Sequence, residues 1–519
     1  MLRQGWSNFN LSAMRKACLV LSLTTILCLL SFEILIAQQY VIGISTVPGQ
    51  GSVLMSFRNA SLRLDQISTM ANQVWSPMSI SDSNDSLLFH SNGAFVENRY
   101  LRKMPGTDSL APGFYYDYGP YCLNGIIGVK RGDPSGQLYD LFHMDYSNHL
   151  TYPYPLSVLH TEINPYARND SGECLVNSEV VLSADTFEPG LLAAVQHGNG
   201  RDWWVLVQKF TSNKYYKILS TPHGRFVSDQ VIGFPKVPYL GIGTPVFSPD
   251  GNWYARFDFR NGLELFNFDR CSGELSNPVL LPALANFPDT NQFYYNPVHN
   301  DFVGLAFSAD SRFLYVVQVT QIYQLDMTLL GQAGSIRHVA SYDGTRDTSN
   351  GQVNQFGFPF LAPDSVIYLY CGGGNWIASI PNPDLPAPAC GFIRSALYYP
   401  GLGYSKLPSP PNYRLGRLLG SPCDTLEWTG TRDLEKESIS VYPNPASSTV
   451  RLRFGDANRH YYRIELRSLT GLLLKELLVS GQEPDLVLSL KGIAPGSYLV
   501  QAYREGDLCA NHRLIVVND

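Results

Sequence analysis

The chain has 519 residues, a formal net charge of −6 at pH 7 and only 16% charged residues. With no dense Lys/Arg cluster, that balance excludes a nucleic-acid partner, which would want a basic face. Low charge beside 44 Gly, 34 Pro and 31 Tyr favours short strands and turns over helices.

At the amino terminus, Arg15 and Lys16 precede an apolar run over 17–32, and Ala37-Gln38 offers a small-residue cleavage point. That order predicts a secretory signal peptide over residues 1–37. The alternative is an uncleaved membrane anchor, because the run approaches spanning length. Bulky Leu27 stands before Cys28 where a lipoprotein signal needs a small residue. No later stretch is long and apolar enough to span a membrane, so none is expected once the signal is removed. About 480 residues then remain, enough for a large domain plus a small one.

Cys122, Cys174, Cys271, Cys371, Cys390, Cys423 and Cys509 are widely spaced, with no CxxC pair. Metal-ligand spacing is therefore missing, and no metal or cofactor is expected. An exported route permits disulfides, an odd count leaves at least one thiol free, and the pairing stays open.

The middle of the chain repeats. Phe247-Ser248-Pro249-Asp250-Gly251 is followed by strand-like residues 253–259, a turn, and strand-like residues 263–269. Leu305-Ala306-Phe307-Ser308-Ala309-Asp310 and Leu361-Ala362-Pro363-Asp364 open two further units in the same way. Weaker copies fall at 80–93, 124–145, 157–182 and 192–218. Spacing of about 40–60 residues suits β-propeller blades, about seven of them, with six or eight also compatible. The fold class expected is all-β: a β-propeller over 38–419, a linker over 420–438, and a small β-sandwich over 439–519. The linker reading rests on Pro422, Gly430 and the charges at 432–437. Runs at 450–454, 461–467, 472–479, 486–490, 498–503 and 513–517 alternate like sandwich strands.

No catalytic motif is present: no HExxH, no GxSxG and no P-loop. Asp82, Asn84 and Ser86 have calcium-loop spacing, but Gly93 stands where the closing Glu belongs. The most site-like cluster is His197-Gly198-Asn199-Gly200-Arg201-Asp202-Trp203-Trp204. An indole face at Trp203 or Trp204 and a charged pair at Arg201 and Asp202, with His197 beside them, suit a sugar. The competing reading is structural: Asn199-Gly200 is a hairpin turn, and the two Trp start a strand whose faces pack. Asp269-Arg270 reads as a surface pair or as a residue pair orienting a turn between blades. Asp250, Asp310 and Asp364 recur in equivalent turns, which favours a structural role.

The Phe247-Ser248-Pro249-Asp250-Gly251 turn resembles those of WD40-like and lactonase-like propellers. Residues 194–209, Phe268-Asp269-Arg270-Cys271-Ser272-Gly273-Glu274 and Pro411-Asn412-Tyr413-Arg414-Leu415-Gly416 resemble an uncharacterised exported family of Bacteroidota, which implies no activity. At the other end, Tyr442-Pro443-Asn444-Pro445, Leu469-Thr470-Gly471 and Ala494-Pro495-Gly496-Ser497-Tyr498 occur in order. They closely resemble the C-terminal sorting domain of the type IX secretion system. That resemblance implies the secretion machinery as a partner and the cell surface or the medium as the destination. Two functions stay open: a module binding an extracellular glycan or protein, or a propeller-type hydrolase or lyase. An axis lined by small and apolar residues would favour the first, and converging ionisable groups the second.

Overall fold

The computed structural model describes residues 38–517 apart from internal stretches, the longest being 283–303, 425–438, 111–123, 235–244 and 146–154. The predicted signal peptide, Asn84, Gly471 and the predicted linker beyond Asp424 lie outside the described residues. Two compact units are present, one reaching to Asp424 and the other comprising Thr425–Asp519. The first thus takes in residues 420–424.

Among the described residues, seven antiparallel sheets follow one another along the first unit. Blade 1 is Gln38–Ile42, Ser52–Arg58 and Ser61–Ile67; blade 2 is Met78–Ser81, Leu87–Ser91 and Val96–Asn98. Blade 3 is Ile126–Lys130, Tyr139–Met144, Val158–Asn164 and Glu173–Leu182. Blade 4 is Ala193–Gln196, Trp203–Gln208, Lys214–Thr221 and Gly224–Val231. Blade 5 is Val246–Phe247, Trp253–Asp258, Gly262–Phe268 and Leu275–Leu281. Blade 6 is Gly304–Phe307, Phe313–Val317, Gln321–Asp326 and Ile336–Ser341. Blade 7 is Phe356–Leu361, Ile367–Cys371, Trp376–Ile380 and Ile393–Tyr398.

Each sheet packs on the next. Apolar clusters join blades 2 and 3, 3 and 4, 4 and 5, 5 and 6, and 6 and 7. Blades 1 and 2 meet through Ser79 and Ser81, whose hydroxyls accept from the Val41 and Gln39 amides at 3.0 Å. Tyr40, Phe57, Phe360 and Tyr368 form one aromatic cluster, so blade 7 closes on blade 1. The result is a seven-bladed β-propeller.

Burial follows position in the blade. In blade 4 the first two strands are buried throughout, whereas Gly224–Val231 at the rim is mostly exposed. A strand sandwiched between neighbouring sheets has two buried faces and loses the two-residue alternation that marks a half-buried strand.

The count of seven agrees with the sequence, but the partition differs. Residues 124–145 and 157–182, expected as separate units, are the two halves of blade 3. Residues 38–67 form a blade that no Pro-Asp-Gly-like turn had marked. The error of splitting and the error of omission cancel.

In the second unit, Ile439–Tyr442, Thr449–Phe454 and Asp485–Ser489 form one sheet. Leu473–Leu478, Arg463–Ser468, Gly496–Arg504 and Asp507–Val516 form the other. Val450, Leu452, Leu466, Leu488, Val500 and Leu514 share a core between them. Apart from Ile439–Tyr442, these strands fall on the runs that alternation predicted.

Candidate functional site

The His197 cluster folds as a hairpin at the end of blade 4. The His197 amide donates to the Asp202 carbonyl at 2.8 Å, and Gly200 takes φ of 75° in the turn. Asn199 Oδ1 accepts from the amides of Arg201 and Asp202, both at 3.0 Å, and its Nδ2 donates to Asp202 Oδ2 at 2.8 Å. Arg201 grips Asp202 with Nε and Nη2 at 2.7 and 2.9 Å, and these bonds raise the guanidinium pKa above its ordinary value.

His197 Nδ1 accepts from the Asn199 amide at 3.0 Å, so Nε2 carries the proton and donates to the Cys271 carbonyl at 3.0 Å. Trp204 Nε1 donates to the Arg270 carbonyl at 3.0 Å. Trp203 faces the other seam and meets Tyr413 edge to face. Thus His197, Arg201, Asp202, Trp203 and Trp204 are together, but both indoles and the imidazole are buried, with His197 and Trp204 hydrogen-bonded within the fold and Trp203 packed on Tyr413.

The partners of this hairpin explain its glycines. Cys271 and Cys423 form a disulfide. A Cβ on Gly198 would lie 2.5 Å from Cys423 Sγ, and one on Gly200 2.7 Å from Arg417 Cβ. Arg270, which burial holds below its ordinary pKa, donates through Nε to the Gln196 carbonyl at 2.8 Å and through Nη2 to the Gly416 carbonyl. Asp269 caps its own turn, accepting from the Cys271 amide at 2.8 Å. Asp250, Asp310 and Asp364 do likewise, accepting from the amides of Asn252, Arg312 and Val366 at 3.1, 3.0 and 3.1 Å.

The first strands of the blades enclose an axial chamber of about 360 Å³, with residues 408–414 on one side. Tyr40, Phe247, Phe307 and Phe360 supply rings, and small or proline residues fill much of the rest. Its polar lining is neutral apart from Arg414 among the described residues, with Gln38, Asn124, Ser248 and Ser365 as amides and hydroxyls. Burial raises the Tyr413 phenol well above its ordinary pKa.

A charged cluster that sequence reasoning missed lies between blades 3 and 4. Arg225 Nη2 is 2.7 Å from Asp140 Oδ1, 2.6 Å from His160 Nε2 and 3.3 Å from Glu162 Oε2. Ser220 donates to Asp140 Oδ2 at 2.6 Å, and Arg131 holds Glu162 from the other side. Burial pushes the Asp140 carboxyl up, but His160, Arg225 and Ser220 together leave it below its ordinary value. Asp140, His160 and Glu162 have donor atoms close enough for a metal, yet the guanidinium sits among them. The available signal was polar residues inside apolar strands: Asp140 in YDLFHM and His160 in VLHTEIN.

In the second unit, Asn444 Oδ1 accepts from the Ile515 amide at 2.8 Å, next to the pairing of Ala446 with Val516. Pro443 and Pro445 flank Asn444, just after the strand that ends at Tyr442. Pro495 precedes Gly496, which starts a strand, and the Tyr498 hydroxyl donates to the Ala494 carbonyl at 2.6 Å. The motif residues thus fix the ends of strands.

The fold defines an all-β protein in which a propeller is followed by a small sandwich. Residues 440–517 match the secretion system C-terminal sorting domain, so the chain carries a type IX export tail and its destination is the cell surface or the medium. No curated protein was found to match the chain. Among solved structures, a Lactobacillus plantarum protein is 13% identical, covering 72% of this chain and 97% of its own, at a TM-score of 0.41. The periplasmic gluconolactonase of Pseudomonas aeruginosa is 14% identical, covering 72% and 98%, at 0.37. A Xanthomonas campestris gluconolactonase is 10% identical, covering 65% and 95%, at 0.31. Likeness at these TM-scores carries no weight for activity. Among the described residues, no helix is long and apolar enough to cross a membrane.

Proposed function

We propose that the chain is an exported binding module whose ring takes the neutral sugars of an extracellular glycan at the axial chamber. Residues 1–37 act as its signal peptide, and the sorting domain engages the type IX machinery of a Bacteroidota cell. The observation that carries the binding reading is the lining of the chamber: aromatic rings and prolines with scattered neutral amides and hydroxyls, Arg414 being its one charged group among the described residues. Rings stack on sugar faces, and neutral polar groups bond hydroxyls without demanding a charged partner. A hydrolase or lyase would draw on ionisable groups, and the buried cluster around Arg225 does not line the chamber.

We assign the His197 hairpin to holding residues 416–423 rather than ligand. An array of neutral and acidic glycans, probed with the mature protein, tests both statements. Retention of neutral glycans alone, weakened by Phe307→Ala and unchanged by Arg201→Ala, is expected. Retention lost on Arg201→Ala, in a protein that melts normally, would return the site to the hairpin; retention of no glycan would remove the sugar reading.

A further inference from the structure

Residues 406–424 contain no strand or helix. This strap starts at the seam of blades 7 and 1, where Leu407 is buried with Tyr40 and Phe360. It passes the axial chamber, which its residues 408–414 help to line, and ends on blade 5 through Cys423. We infer that the strap is a lid on the chamber, locked by oxidation of Cys271 and Cys423. As regulation of ligand entry this rests on the binding reading above; as a mechanical device it does not.

The attachments of the strap lie on its inner side: Leu407 is buried at the first seam, Tyr413 packs on Trp203 and Leu415 on the cluster between blades 4 and 5, and single hydrogen bonds hold the rest. The Tyr413 hydroxyl donates to the Gly128 carbonyl at 2.9 Å, and Asn412 Nδ2 to the Pro249 carbonyl at 2.8 Å. Beyond the chamber, the Gly416 amide donates to Gln196 Oε1 and the Leu418 amide to the Gly198 carbonyl, both at 2.7 Å. The outer side is open: Asn412, Arg414 and Leu418 are exposed, and Leu419 is 76% exposed. Water can replace such hydrogen bonds one at a time, so beyond Leu415, where Leu418 and Leu419 are exposed, they hold the strap weakly. The disulfide changes this by fixing the far end. With Cys423 tied to Cys271, Gly416 and Leu418 stay beside their acceptors at high effective concentration.

The socket is shaped for that bond. Only a residue without Cβ fits at 198, against both sulfurs, and at 200, against Arg417. Arg270 and His197 reach from neighbouring blades to the carbonyls of Gly416 and Cys271. Locking is a two-electron step. The two thiols give up two protons and two electrons to a disulfide-bearing oxidant, an Sγ–Sγ bond forms, and the oxidant becomes a dithiol. An added dithiol runs the step backwards and frees the lid.

Amide hydrogen exchange on the full secreted chain, oxidised and reduced, reads the lid without any ligand. On reduction the Gly416 and Leu418 amides should exchange at least about tenfold faster, while Trp203–Gln208 keeps its rate. A dye that brightens in apolar surroundings should enter only the reduced protein. The Cys271→Ser/Cys423→Ser variant should match the reduced protein, and if it fails to fold, phosphine reduction of the folded wild type gives the same readings. Strap amides as slow reduced as oxidised would overturn the lid. So would equal dye entry, or acceleration of strap and Trp203–Gln208 together, which would make the bond a staple for the whole ring. A ring that opens on reduction but takes no glycan in either state would keep the lid and remove the binding reading.

Discussion

Blade 4 faces two neighbours and meets them in different ways. Towards blade 3, the outer part of the seam holds Asp140, His160 and Glu162 around the Arg225 guanidinium. Towards blade 5, Tyr215, Tyr254 and Phe266 pack edge to face with ring centroids 5.5 and 6.1 Å apart. Both arrangements fill a wedge that widens away from the axis. The aromatic seam draws on burial, which needs no partner atom by atom; the ionic seam holds only while every member is present.

The sharpest way to break the comparison is to remove one member of each seam. Arg225→Ala leaves the buried Asp140 without its guanidinium, while Glu162 keeps Arg131, and should cost about 3–5 kcal/mol at neutral pH. Phe266→Ala should cost a similar amount, about 3–5 kcal/mol, through the cavity it leaves. The two then part with pH. Arg225 is one of the groups that hold the Asp140 carboxyl below its ordinary value, so what it contributes is lost as pH falls through the carboxylate range and the variant's deficit shrinks there. Urea melts at pH 7 and pH 3 should show recovery for Arg225→Ala and a constant deficit for Phe266→Ala. Parallel behaviour of the two variants would erase the distinction between the seams.

A smaller effect comes from buried imidazoles. Burial, reinforced by the charge of His160, pushes His143 down to about 3, and burial alone does the same for His90. Each stays neutral in the native state while the unfolded chain protonates it below pH 6.5. Their contribution is therefore complete above pH 6.5 and is lost as pH falls towards 3, by about 1.4 kcal/mol per unit for each group. His143→Gln should flatten the pH dependence of urea midpoints between pH 6 and pH 4; an unchanged slope would show that His143 is not the group responsible.

The smallest effect belongs to the Lys217–Glu274 ion pair on the aromatic side. Lys217 is buried but its partner Glu274 is half-exposed, so solvent screens the pair. Glu274→Gln should cost about 1 kcal/mol or less. A loss of several kcal/mol in a thermal melt would mean that this seam also depends on charge.

The legibility of the chain follows the same divide. The Pro249-Asp250-Gly251 turn and its relatives at Asp310 and Asp364 mark blades 5, 6 and 7, because a tight turn has strict local requirements. The sandwich strands at the C-terminus were legible because one face of each meets solvent. Blades 1 and 3 were misread because strands buried on both faces do not alternate. The Arg225 cluster joins positions up to 85 residues apart, and the Cys271–Cys423 bond joins positions 152 apart. Neither leaves a local pattern. At His197–Trp204 the residue types were legible as a cluster, but their partners on blade 5 and the strap were not.

The disulfide also has a mechanical side. Cys423 stands one residue before the point where the ring unit ends. Any traction applied through the downstream chain, as when a sorting domain is drawn through a membrane, reaches this covalent bond before it reaches the strap. The load passes into the turn at Cys271, and residues 406–422 stay slack. Peeling would otherwise run back along the strap towards blade 7, where the ring closes on blade 1. The oxidised chain therefore bears tension like a knotted rope, at the knot and not along the splice.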